Sequence, residues 1–298
     1  MDGAKYRALT ASVEASYATL SPSQRNKFRA MWEFATGTTQ VESVPVSLQI
    51  ARSNRCNFKC VYCSDHRVGN TVPRNQVDGE TWQNLFEIVP KAEVLSFHGI
   101  SEFMIDPEFF TIVEQCAKGK SILSLNTNGS VCTPRHLDTF AHYPGRLCIN
   151  FSIDAATPET FLRIRGWDFW RVLKNVRDYV ERLKDRRETT YLTFSYVIAK
   201  SNVHEMVAVV YLAKSLGIDG IKFYRLHEYD GLDWRIEAKD GRTFDYREEC
   251  TDRFGEVYNQ QIENTRRAAE ILGVFVELPA PVEVSTDSLT VLEATPTQ

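Results

Sequence analysis

Three thiols stand within eight residues in the stretch Cys56-Asn57-Phe58-Lys59-Cys60-Val61-Tyr62-Cys63, at the spacing C-x3-C-x2-C. Thiolates are soft ligands that suit zinc, copper or iron–sulfur clusters. Cysteines this close converge on one centre only if the loop wraps around it. Zinc ordinarily takes a fourth Cys or His, and His66 is near enough in sequence to serve. A [4Fe–4S] cluster held by three thiolates keeps one iron open to bind and reduce something else. Three unrelated core cysteines are a poor reading, because the loop around them carries Asn, Lys and Tyr.

Such a loop needs support. Residues 46–50 alternate and end at Arg52, which predicts a strand running straight into the cysteines. Strand and helix patterns then take turns. Strands are expected at 94–97, 122–126, 147–153, 191–198 and 220–224; helices are expected at 80–88, 107–118, 134–140, 170–183, 203–216 and 247–272; a short apolar piece follows at 274–278. Repeated strand–helix units imply a parallel sheet with right-handed crossovers, which curls toward a barrel. The expected fold class is α/β: a (β/α)6 partial TIM barrel with an N-terminal helical arm and a C-terminal helix plus short strand. Chemistry in such folds sits at the C-terminal ends of the strands, where the Cys loop lies.

The composition, 43% hydrophobic and 25% charged over 298 residues, is that of one sizeable globular core. The division expected is a helical arm over 1–45, the barrel over 46–282 and a flexible tail over 283–298. In the arm, Ser21-Pro22 starts a helix whose Phe28, Met31, Trp32 and Ala35 follow helical spacing, which predicts a packing face. A net charge of −4 without a basic stripe argues against nucleic acid as a partner. No apolar run approaches the roughly 18 residues of a membrane span. The N-terminus has no apolar signal core, so a cytoplasmic, reducing location is expected. The other cysteines, Cys116, Cys132, Cys148 and Cys250, are scattered, which argues against a disulfide framework.

Further polar groups fall at the expected strand ends. Gly99 permits close backbone approach and Glu102 offers an acceptor for an ammonium group. Asn126-Thr127-Asn128-Gly129 has turn chemistry. Ser152 and Asp154 can hold ribose hydroxyls, and Arg165 can clamp a carboxylate; in the plainer alternative Thr157-Pro158-Glu159 starts a helix and Arg165 pairs with Asp168. Tyr196 ends the fifth strand. Tyr224, Arg225 and His227, followed by Glu228 and Tyr229, form a polar, aromatic group after the sixth. These are the expected substrate contacts.

The C-x3-C-x2-C spacing with Tyr62 before its last Cys resembles the signature of the radical S-adenosylmethionine superfamily, of the type related to SPASM-domain proteins but without their Cys-rich C-terminal extension. The resemblance runs over about residues 46–280. It implies that Cys56, Cys60 and Cys63 hold a [4Fe–4S] cluster whose open iron chelates S-adenosylmethionine. One electron then cleaves that cofactor, and a 5′-deoxyadenosyl radical removes a substrate hydrogen atom. His98-Gly99-Ile100-Ser101-Glu102-Phe103 resembles the family's G-x-G-E-P segment, with Ser101 for the second Gly and Phe103 for Pro. By the same likeness Tyr62, Gly99, Glu102, Asn126, Ser152, Asp154 and Arg165 face the cofactor. An external one-electron donor such as flavodoxin or ferredoxin is implied as a partner. The substrate expected is a small polar metabolite (sugar, nucleoside or natural-product intermediate) undergoing epimerisation, elimination, rearrangement or decarboxylation. Modification of a ribosomal peptide and a non-catalytic zinc module are the alternatives. Cys250 is weighed as a hydrogen-atom donor to a substrate radical, against a plain semi-buried thiol.

Overall fold

A computed structural model describes residues 16–63, 77–227 and 234–283. His66, Glu228 and Tyr229 lie outside the described residues, as do nearly all of 283–298 and residues 1–15. Capped starts place the helices. Ser21, Thr133 and Thr157 each precede a proline and accept from a backbone N–H of the first turn, opening α1 (Pro22–Thr36), α4 (Pro134–Ala141) and α5 (Pro158–Arg165). Between α1 and α4 lie α2 (Gly79–Ile88) and α3 (Phe109–Gly119); after α5 come α6 (Phe169–Arg182), α7 (Met206–Leu216), the four-residue α8 (Tyr246–Glu249) and α9 (Gly255–Leu272).

Strands β1 (Ser47–Gln49), β2 (Val94–Phe97), β3 (Ile122–Thr127), β4 (Leu147–Ser152), β5 (Thr190–Ile198), β6 (Gly220–Arg225) and β9 (Phe275–Glu277) form one parallel sheet in that order. The sheet is a partial barrel left open between β1 and β9. The short terminal strand thus continues the barrel as a seventh parallel strand, paired with β6. β7 (Arg235–Glu237) and β8 (Thr243–Asp245) make a separate antiparallel hairpin that sequence periodicity does not announce.

Alternation divides the sheet into two faces. Leu123, Leu125, Ile149, Phe151, Leu192, Phe194 and Tyr196 are fully buried on the helix side. Phe151, for example, lies 5.7 Å ring to ring from Tyr179 of α6. Each such burial contributes about 1.5–3 kcal/mol. The residues between them, Ser124, Asn126, Asn150, Ser152, Thr193 and Ser195, face the lumen, where Ser124 bonds His98 and the others bond in pairs. Asn150 Nδ2 donates to Asn126 Oδ1 at 3.0 Å, Thr193 Oγ1 to Asn150 Oδ1 at 2.9 Å, and Ser195 Oγ to Ser152 Oγ at 3.2 Å.

Two expectations need correction. The last long helix begins at Gly255 rather than at 247, because Cys250 is extended (φ −69, ψ 140) and a 3-10 turn, Thr251–Arg253, intervenes. The apolar side of α1 is not its packing side. Phe28, Met31 and Trp32 are 54%, 63% and 64% exposed, while Ser23, Asn26 and Glu33 are buried. Hydrogen bonds decide this orientation: Ser23 Oγ donates to Gly119 O at 2.7 Å, Asn26 bonds both ways with the Val44 backbone, and Glu33 accepts from Ser43 and Glu42.

Candidate active site

The Cys loop follows β1 and has almost no regular structure of its own, so its shape comes from ties to other elements. Glu102 N donates to Arg55 O at 2.9 Å and Val61 N to Ile164 O at 3.0 Å. Asn128 Nδ2 donates to Asn57 Oδ1 at 2.9 Å, and Asn57 Nδ2 to Ser130 Oγ at 2.9 Å. Trp234 Nε1 donates to Val61 O at 3.0 Å. At the root of the loop the Arg52 guanidinium, nearly buried, bonds Asp106 at 2.6 Å and Glu108 at 2.5 Å. Gly129 closes the turn after β3 at φ +72, where any Cβ would lie 2.9 Å from Val172 Cγ1.

These ties bring Cys56, Cys60 and Cys63 to one cavity of about 180 Å³ at the C-terminal ends of the strands. Its remaining walls include Tyr62, Gly99, Glu102, Asn126, Ser152 and Arg165, all expected there from sequence, together with Phe58 and Asn128. Burial pushes the Cys60 thiol up to about 12 and raises that of Cys56. A bound metal centre would draw off their protons. Among the described residues no three His, Cys, Asp or Glu side chains converge as tightly as one metal ion requires.

Glu102 is buried at 2% exposure and bridges two strand ends. It accepts from Thr127 Oγ1 at 2.9 Å, Asn128 N at 2.6 Å and Met104 N at 3.2 Å. Burial raises its pKa against these bonds. Arg165 is buried too, and its Nη1 donates to Asp154 Oδ2 at 2.8 Å while its Nε has no partner. A buried carboxylate and a buried guanidinium therefore line one space, the complement of a ligand carrying both an ammonium and a carboxylate.

Asp154 does not line the cavity. It is 1% exposed, lies in the left-handed region at φ 49, and accepts from the Tyr62 hydroxyl, Arg165 and, at 2.7 Å, Val197 N. Its carboxylate is taken up by Tyr62, Arg165 and the Val197 backbone. Asp168, the alternative partner for Arg165, caps α6 instead.

The model for the family described as the radical SAM superfamily matches residues 50–220, over half of the chain. The chain belongs to the radical SAM superfamily. Enzymes of this family use a [4Fe–4S] cluster and S-adenosylmethionine. Molybdenum cofactor biosynthesis protein moc-5 of Caenorhabditis elegans is 24% identical over 205 residues, which cover 63% of this chain but only 31% of that protein. Among solved structures, Streptococcus suis SuiB bound to S-adenosylmethionine matches at TM-score 0.54 and 15% identity, over 85% of this chain and 55% of that one. AdoMet-bound anSMEcpe matches at 0.56 and 20%, over 78% and 64%. These likenesses share the radical SAM fold.

In this radical SAM chain the expected substrate contacts separate. Tyr224 follows Lys222 on the luminal face of β6 and is 47% exposed. Tyr196 is turned to the helix side, fully buried, with its hydroxyl donating to Asn202 O at 2.7 Å. Arg225 is likewise turned away, where it bonds Thr251 at 2.9 Å and Asp252. His227 is exposed beyond the strand, and its carbonyl accepts from the Tyr246 hydroxyl at 2.7 Å. Cys250 is fully buried in a second apolar cluster with Val61, Trp234, Phe244 and Tyr246, and its thiol bonds Tyr246 O at 3.2 Å. A donor to a substrate radical must reach the lumen, so this position does not suit the role. The luminal Asn150, Thr193 and Ser195 went unnoticed in sequence. Their signal was there, as polar residues at every second position of otherwise apolar strands.

Proposed function

We propose that this chain uses S-adenosylmethionine and a [4Fe–4S] cluster to remove a hydrogen atom from a small polar metabolite. Cys56, Cys60 and Cys63 would hold the cluster. Glu102 would take the cofactor's amino group and Arg165 its carboxylate, with Gly99, Asn126 and Ser152 completing the wall. When bound, this pair of groups supplies a 5′-deoxyadenosyl radical at the strand ends. The chain's own residues position and shield: Asp154 keeps Arg165 and Tyr62 oriented, and Glu102 offers a preformed negative charge in a water-poor cavity. The observation that carries the reading is the meeting of the three thiols, Glu102 and Arg165 in one cavity.

The substrate class is supported by the lumen. Asn126 and Ser152 belong both to the cavity wall and to the hydrogen-bonded luminal ladder with Asn150, Thr193 and Ser195. A ligand beside the cofactor therefore meets amides and hydroxyls, which suit hydroxyl-rich or amide-bearing compounds. Anaerobic reconstitution with iron and sulfide tests the whole reading. A brown protein that converts S-adenosylmethionine to 5′-deoxyadenosine under dithionite is expected. A colourless protein holding one zinc ion overturns it.

A further inference from the structure

Resting on that reading, we propose that the face around Trp167 and Trp170 is the docking surface for a small acidic one-electron carrier protein, and that Trp167 and Phe58 connect it to the Cys loop. The surface is a groove of about 550 Å³ outside the cofactor cavity, lined by Leu162, Trp167, Trp170, Arg171 and Lys239 among others. Leu162 and Trp170 are 39% and 66% exposed. Large apolar side chains left open at this density mark a contact site rather than ordinary surface.

Two observations say what covers it. The first is contact with the redox site. The Trp167 ring stacks on Phe58 at 4.9 Å and 26°. Phe58 lies between Cys56 and Cys60 in the chain, and its N–H donates to Cys56 Sγ at 3.4 Å. One stacked pair of rings and the Phe58 backbone N–H thus link the groove to a thiol of the cavity. The second is charge. The chain is acidic overall, at −4, yet the groove is rimmed by exposed Arg171 and Lys239, and Lys239 Nζ stands 5.9 Å over the Trp167 ring. Asp168 is the only carboxylate among the lining residues, and it is engaged as the cap of α6. A cationic rim around aromatic anchors, on a chain of opposite net sign, selects an acidic partner and speeds its encounter.

The exchange is simple to balance. One electron leaves the partner's reduced flavin or iron–sulfur centre and enters the cluster. The partner is oxidised by one electron, the cluster is reduced by one, and no bond or proton changes at the contact.

The test uses the reconstituted chain with a purified flavodoxin and, separately, a purified ferredoxin as probes. Affinity is measured by calorimetry as a function of salt, and cluster reduction by stopped-flow absorbance. Arg171→Glu with Lys239→Glu should weaken binding about tenfold or more at low salt, with less difference at high salt as the charges are screened. Trp170→Ala, which keeps the charges, should slow cluster reduction by the protein donor. In all variants 5′-deoxyadenosine formation driven by dithionite should equal that of the parent. Equal affinity and equal reduction rate in parent and variants, or no salt-dependent binding of either probe, overturns the docking surface. Loss of the dithionite-driven reaction in the parent itself would instead count against the function proposed above.

Discussion

The two ends of the sheet differ in how their polar side chains were put to use. In β1–β4 and the loops that follow, Tyr62, Gly99, Glu102, Asn126, Ser152 and the three thiols all reach one cavity. In β5–β6 and beyond, only Tyr224 of Tyr196, Tyr224, Arg225 and Cys250 faces the lumen; the others bond into the helix side or a second core. The difference is one of physical constraint. Tyr62, Gly99 and Glu102 are loop residues placed by local chain geometry, while Asn126 and Ser152 take luminal positions of β3 and β4. A residue inside a strand changes face with a one-residue shift of register.

Substitutions can break or sharpen this contrast. The largest effect is expected from Cys60→Ala, which should abolish both the visible absorbance of the reconstituted protein and 5′-deoxyadenosine formation. Wild-type absorbance and turnover in that variant would remove the motif from the site altogether. Next is Asp154→Ala. It strands a buried guanidinium, so urea denaturation should show a loss of about 3–5 kcal/mol. A loss near zero would mean that Asp154 does not organise Arg165.

Glu102→Gln keeps the size of the side chain but removes the charge offered to an ammonium group. Calorimetry should show S-adenosylmethionine binding weaker by about 1.5–3 kcal/mol, the worth of a charged hydrogen bond. Unchanged affinity would reduce Glu102 to a bridge between strand ends. Thr193→Val takes one hydroxyl from the luminal ladder and should raise KM for the substrate while leaving uncoupled cofactor cleavage intact; an effect on cleavage alone would separate the lumen from the substrate. The smallest effect belongs to Arg225→Ala. Its side chain is 18% exposed against 50% for its partner Asp252, so a partly screened pair and one bond to Thr251 are lost, about 1 kcal/mol each. Denaturation should move by no more than that and turnover not at all, whereas a turnover defect would return Arg225 to the site.

Much of the barrel could be read in advance because strand and helix periodicities are local. The expected strands at 94–97, 122–126, 147–153, 191–198 and 220–224 match β2–β6 to within a residue or so at their ends. The arm helix was legible through Ser21-Pro22 and Gly37, but its orientation was not. Its apolar stripe suggested burial, and side-chain bonds from Ser23, Asn26 and Glu33 to distant backbone turned it outward. Cys250 shows the same limit, since a helical pattern over 247–272 hid the extended residue on which the chain turns.

From sequence alone came the thiol spacing of the Cys loop, the α/β class and the strand ends proposed to carry the site, because residue type, spacing and period are properties of neighbouring residues. Only the tertiary structure decided that Asp154 stands behind Arg165, that Asn150, Thr193 and Ser195 line the lumen, and that Phe58 stacks on Trp167. Those facts depend on the register of strands and the docking of loops from distant parts of the chain. Packing and hydrogen bonding across the whole fold settle both.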